Sequence, residues 1–170
     1  LKFGEASLGL RQRVAFLAAN EPDAWPDLSD GALLDTLEAW LKPLLIGKAA
    51  LSALNDGALE AALRTLIAWD QQQRLDREAP TRFTAPTGNS FRIDYGDVGG
   101  PRVDVRVQEL FGLAVHPTVG GRPLTLALLS PGHRPVQLTK DLPGFWKGSW
   151  ADVRKDMRGR YPKHPWPEDP

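Results

Sequence analysis

Through the first half of the chain, apolar residues recur at helical spacing. Leu10, Val14, Leu17 and Ala18 fall on one stripe of residues 8–19, with Arg11 and Arg13 facing away. Glu21-Pro22 stops that helix. Trp25-Pro26-Asp27-Leu28 reads as a turn leading to Ser29, an N-cap residue. A second helix sets Leu33, Leu37, Trp40 and Leu41 on one side and ends before Pro43. Residues 44–54 are apolar and broken by Gly47. Asn55 or Asp56 then caps a third helix, which points Leu59, Leu63, Leu66 and Ile67 inward and runs to about Gln73.

The pattern changes near residue 80. Ala79-Pro80 and Pro86 interrupt helix, and Thr87-Gly88-Asn89 reads as a hairpin turn between two short strands. The second of these, Phe91 to Tyr95, alternates apolar and polar. Residues 101–112 admit two readings. Val103, Val105 and Val107 alternate like a strand, yet Pro101 in a first turn, Val103, Val107, Leu110 and Phe111 at helical spacing, and Gly112 as terminator predict a helix, and the helix is the expectation taken here. Gly120-Gly121 turns the chain into a strand with Leu124, Leu126 and Leu128 alternating. Ser130-Pro131-Gly132 is a further turn, and Val136–Thr139 a last short strand. The final helix places Trp146, Trp150, Val153 and Met157 on one face and closes at Gly159, followed by a proline-rich, extended end. The expected class is α+β. A helical subdomain at 1–79 precedes an α+β subdomain at 80–170, which has a small, mostly antiparallel sheet, one inserted helix, a C-terminal helix and an extended tail.

Composition narrows the function classes. The 170 residues are 42% hydrophobic and 25% charged, as in ordinary globular chains. No apolar run reaches the ~20 residues of a membrane helix, and no signal peptide is visible, so no membrane partner is expected. Cysteine is absent, which excludes disulfides and thiolate metal sites and favours the cytoplasm. The first residue is Leu, and the one methionine is Met157, as expected of a piece of a longer protein. The net charge of zero hides a division. Residues 1–80 hold 8 Lys/Arg and 12 Asp/Glu, a net of −4, and residues 81–170 hold 13 and 9, a net of +4. Such asymmetry is one mark of a nucleic-acid-facing half, though far weaker than a dedicated phosphate-binding stripe.

Catalytic motifs are missing. Ile46-Gly47-Lys48-Ala49 resembles a phosphate loop but lacks the hydroxyl after the lysine and the upstream glycine. His116, His133 and His164 stand apart, without the spacing of a metal site, and read as surface or hydrogen-bonded histidines. Gly148-Ser149-Trp150 is no nucleophile elbow, and Ser149 reads as a helix cap. Asp152 and Asp156 lie at i,i+4 beside Arg154 and Lys155, the pattern of a solvated helix face. No catalytic residue, metal ligand or cofactor site is expected within this chain.

Binding chemistry concentrates at the end, where Trp146, Trp150, Tyr161 and Trp166 share residues 141–170 with six basic side chains. Arg154, Lys155 and Arg158 occupy the helix face opposite Trp150 and Val153, and Arg160 and Lys163 continue past it. Basic groups neutralise phosphates, and an accessible aromatic ring stacks on a base for ~1–3 kcal/mol. The helical spacing of Trp146 and Trp150 marks them as core. Arg154, Lys155, Arg158, Arg160, Tyr161 and Lys163 are therefore the candidate nucleic-acid-binding residues.

Several longer motifs carry a family resemblance. Gln108-Glu-Leu-Phe-Gly112, Leu129-Ser-Pro131, Arg134-Pro-Val-Gln137 with Thr139, Asp141-Leu-Pro-Gly-Phe-Trp146 and the run from Arg158 to Pro170 resemble the terminus of HrpB-type bacterial DEAH-box helicases. The resemblance extends to Arg13-Val14 and Trp25-Pro26-Asp27. It implies the C-terminal extension of an ATP-dependent helicase acting on RNA. The phosphate loop, the Asp-Glu-Ala-His box and the ATP and Mg they hold would belong to a preceding core, and no family catalytic residue maps onto these positions. The expected partners are that helicase core, in the same polypeptide, and single-stranded RNA. The expected role is a non-catalytic accessory module contributing to nucleic-acid binding. The alternative is a protein-interaction or structural module that stabilises the helicase or recruits a partner.

Overall fold

A computed structural model describes residues 2–47 and 54–170, and the chain divides into two compact units, Leu1–Pro80 and Thr81–Pro170. In the first unit, α1 (Glu5–Ala18) buries Leu10, Val14 and Leu17 along its apolar stripe. Its N-terminal residue, Gly4, has no side chain to cap with. Asp56 caps the helix from a distance instead, accepting from Gly4 N and Ala6 N, each at 2.8 Å. Arg13, expected to face away, is buried. Its Nε donates to Ala79 O at 2.6 Å and its Nη2 to Asp76 Oδ1 at 2.8 Å. Those partners lie far downstream, where helical periodicity gives no hint of them.

The single helix expected to end before Pro43 is three short ones, α2 (Asp30–Asp35), α3 (Leu37–Trp40) and α4 (Lys42–Leu45). Thr36 makes the first break. Its Oγ1 donates to Ala32 O at 2.8 Å and its backbone leaves the helical region at φ −114°. Pro43 starts a helical turn rather than following one, a position where the missing N–H costs nothing. Ser29 and Asn55 do cap their helices, accepting from Ala32 N at 3.4 Å and Ala58 N at 2.8 Å. The third helix is also divided, into α5 (Asp56–Arg64) and α6 (Trp69–Glu78). Gln72 Nε2 donates to Arg64 O and Ile67 O, each at 2.9 Å, tying α6 back to the end of α5 and the link between them. Of the apolar run 44–54 and the phosphate-loop look-alike at 46–49, residues 48–53 lie outside the described residues.

The second unit opens with the expected hairpin. Strands β1 (Arg82–Thr84) and β2 (Ser90–Arg92) pair antiparallel with Phe83 opposite Phe91. The helix expected over 101–112 is instead strand β3 (Arg102–Arg106) followed by one 3₁₀ turn, Val107–Leu110. Valines at 103, 105 and 107 satisfy both a two-residue and a four-residue period. Pairing decides between them, because β3 lies parallel to β6 (Thr125–Leu129) with Val103 opposite Leu126. Strand β6 is central, flanked on its other side by β7 (Pro135–Thr139), antiparallel. It is therefore buried on both faces from Leu124 to Leu128, rather than alternating. The short pair β4 (Thr118–Val119) and β5 (Arg122–Pro123) turns at Gly120-Gly121, both at positive φ. Among the described residues every strand pair but β3–β6 is antiparallel, and the class is α+β.

On the 3₁₀ turn, the buried Glu109 carboxylate accepts from Thr87 Oγ1, from Asn89 Nδ2 at 3.1 and 3.2 Å, and from Arg106 Nη2 at 3.2 Å. The tip of the β1–β2 hairpin is thereby tied to the following turn. His116 is likewise structural. Its Nδ1 accepts from Leu142 N at 3.0 Å while Nε2 lies 2.6 Å from Leu124 O, so the neutral ring fits with its proton on Nε2.

Candidate nucleic-acid interface

The helix expected over the last segment is two, α7 (Leu142–Lys147) and α8 (Trp150–Arg160). Asp141 caps α7, accepting from Gly144 N at 3.0 Å. Ser149 stands at the N-cap position of α8 but makes no capping bond, and the helix runs through Gly159 to Arg160. The break at Gly148 lets both helices turn their tryptophans onto one aromatic cluster. Phe111 sits 6.0 Å from Trp146, 5.6 Å from Trp150 and 6.3 Å from Trp166, ring centre to ring centre. Each indole N–H is spent on a carbonyl: Trp146 on Leu113 at 3.1 Å, Trp150 on Pro167 at 3.0 Å and Trp166 on Tyr161 at 2.8 Å. Trp150 and Trp166 are buried, so these rings are core and not a platform for bases. The proline-rich end is held down by the same bonds.

The six basic and aromatic candidates separate by what they touch. Arg154 is committed to the fold, because its Nε donates to Trp166 O at 2.6 Å and its Nη2 lies 3.8 Å from the Glu168 carboxylate. Arg160 pairs with Asp156 one helical turn back, at 3.1 Å. Tyr161 is half-buried, its hydroxyl 3.3 Å from Ser130 Oγ. Lys155, Arg158 and Lys163 are exposed, and their side chains have no partner among the described residues. Those three are the free cations among the six candidates. Lys155 and Arg158 lie three residues apart on the second half of α8, and Lys163 lies in the segment that follows it.

Arg134 is a basic residue that sequence reasoning left unassigned. It is exposed in the Ser130–Arg134 turn, and it lines one cleft with Arg160, Asp152 and Asp156 of α8. Nothing local in the sequence links position 134 to position 160; the sheet brings them together. Among the described residues, no group of three His, Asp or Glu side chains could hold a metal ion, and no helix is long and apolar enough to cross a membrane.

Residues 40–170 match the family model HrpB_C, the C-terminal region of ATP-dependent helicases. The chain belongs to this family. It is 49% identical over 148 residues to the ATP-dependent RNA helicase HrpB of Escherichia coli K12, covering 86% of this chain and 18% of that protein. A crystal structure of the E. coli DExH-box NTPase HrpB superposes with a TM-score of 0.93 at 45% identity, over 99% of this chain and 21% of the other. A second, of the Escherichia coli DEAH/RHA helicase HrpB, gives 0.80 at 43% identity, over 98% and 21%. This HrpB_C chain thus spans about a fifth of the length of the relatives it matches. The HrpB_C match includes the aromatic cluster, the Ser130–Arg134 turn and all of α8.

Proposed function

We propose that the chain is a non-catalytic accessory module of an ATP-dependent RNA helicase, extending the path of single-stranded RNA along the outer end of α8. ATP and Mg would be held by the helicase core in the same polypeptide, and not by these residues. The observation that carries the reading is the division of labour at the C-terminal end. Every tryptophan there is spent on packing, while Lys155 and Arg158 of α8 and Lys163 after it are exposed and unpaired among the described residues. Unpaired surface cations neutralise phosphates and release counterions, an attraction that weakens as salt rises. Fluorescence anisotropy of the chain with a labelled single-stranded RNA 12-mer, titrated at several salt concentrations, tests it. The triple reversal K155E/R158E/K163E is expected to weaken binding at least tenfold and to flatten the salt dependence. Arg77→Glu, at an exposed position of α6 in the other unit, is expected to leave it unchanged. Equal binding by the triple variant and the parent sequence would falsify the reading.

A second reading is favoured by the first unit, whose exposed apolar side chains include Trp69 at 74% exposure, Leu34 at 68% and Ile46 at 81%. An exposed tryptophan is a characteristic anchor of protein interfaces. On this reading the first unit docks on the helicase core while the second meets RNA.

A further inference from the structure

We propose that the cleft between the Ser130–Arg134 turn and α8 is a nucleotide subsite for single-stranded RNA, in which Arg134 takes the phosphate and Asp152 reads the base. The inference rests on the RNA-binding reading above and gives it a base-contacting site. The cleft has a volume of about 340 Å³, and its apolar lining is Pro135, Val136, Val153 and Met157. That volume lies in the range of small-molecule sites, roughly 300–1,000 Å³. Four charged residues line it, and they are not equivalent. Arg160 and Asp156 pair with each other at 3.1 Å and neutralise one another. Arg134 and Asp152 are exposed, do not pair together, and have no side-chain partner among the described residues. A cation and an anion kept apart beside an apolar floor suit a ligand with a negative group, a flat ring and a donor edge. A nucleotide has all three.

The turn that carries Arg134 is fixed. Ser130 Oγ accepts from Arg134 N at 3.2 Å and also meets the Tyr161 hydroxyl. Gly132 lies so close that a Cβ there would come within 2.9 Å of the Tyr161 oxygen. His133, between them, holds φ at 63°, the left-handed region. Tyr161 is therefore a positioning residue for Arg134 and not a stacking platform. The carboxylate of Asp152 only accepts hydrogen bonds, so it favours an exocyclic amine and opposes a carbonyl at the same position. Cytosine presents the amine N4–H₂ where uracil presents O4, and the two rings are alike in size.

The chain is titrated with labelled octacytidylate and octauridylate, and the variants D152N and R134Q are compared after circular dichroism confirms unchanged melting. The parent sequence is expected to bind octacytidylate at least about fivefold more tightly, the low end of discrimination by one base-edge contact. D152N removes that preference, and R134Q weakens both oligonucleotides alike and lowers the salt slope by ~0.7, one phosphate on a single strand. Equal affinity for the two RNAs, a preference that survives D152N, or R134Q binding like the parent overturns the subsite while the triple reversal on α8 still weakens binding. If the triple reversal also has no effect, the RNA-binding reading falls with it.

Discussion

Glu109 has almost no contact with water, and three side chains hold its carboxylate. Burial pushes its acidity weaker, but hydrogen bonds from Thr87, Asn89 and Arg106 outweigh burial and hold its pKa below the usual carboxylate range. A depressed pKa makes the ionised carboxylate a source of stability above the unfolded-state value of about 4.3, and that stability is lost as pH falls through the folded value. Thermal melts between pH 7 and pH 3 should therefore show a fall in midpoint on the acid side of about pH 4.3. Glu109→Gln should flatten that acid limb and cost ~1–3 kcal/mol at neutral pH, since Thr87 and Asn89 lose a charged acceptor. An unchanged acid limb in the variant would assign the acid sensitivity to other carboxylates. Asp56 shares this behaviour. Hydrogen bonding from Ser7 and from the amides of Gly4 and Ala6 lowers its pKa, and the bonds it accepts close the first turn of α1.

At the scale of elements, the C-terminal segment is one unit made of two helices and a docked tail. Trp166 supplies the tail's anchor, meeting Phe111 and Trp150 and spending its N–H on Tyr161 O, while its own carbonyl accepts from Arg154. Trp166→Ala should cost ~3–5 kcal/mol, as large-to-small changes at buried aromatic sites do. Each kcal/mol lowers the melting point by ~4–8 °C for a unit of this size, so a fall of more than ~10 °C is expected by circular dichroism. A fall of only a degree or two would mean that the tail is not docked. The helices α2 to α6 carry a different lesson. Their apolar stripes and two of their caps are readable in sequence, since Ser29 and Asn55 act on amides three residues on. Their breaks are not, because they go with side-chain bonds, from Thr36 to Ala32 O and from Gln72 to Arg64 O and Ile67 O, that many threonines and glutamines never make.

At the scale of the whole molecule, the excess of basic residues and the exposed tryptophan fall in different units. Basic residues predominate in the second unit, and the largest exposed aromatic, Trp69, is in the first. If the first unit docks on the helicase core, Trp69→Ala should weaken the association of this chain with a separately supplied core by at least ~2 kcal/mol, about thirtyfold, as an interface hot spot does. Isothermal titration calorimetry reads this directly, and identical titrations for the variant and the parent chain would remove Trp69 from the interface. RNA binding by the same variant should be unaffected, because every proposed RNA contact belongs to the second unit.

The sequence by itself determined the α+β class, a change of character near residue 80, the hairpin at 87–89 and the family, since these follow from local period, local turn chemistry and long particular motifs. It also separated packing tryptophans from candidate cations, because helical spacing alone places Trp150 and Met157 inward. Only tertiary structure decided that 102–106 is a strand, for an i,i+2,i+4 run of valines serves either period until a partner strand claims its hydrogen bonds. Only tertiary structure buried Arg13, gave α1 its cap from Asp56, and drew Arg134 alongside α8. Each of these joins residues far apart in the chain, and a local pattern holds no record of what the folded backbone will bring alongside it.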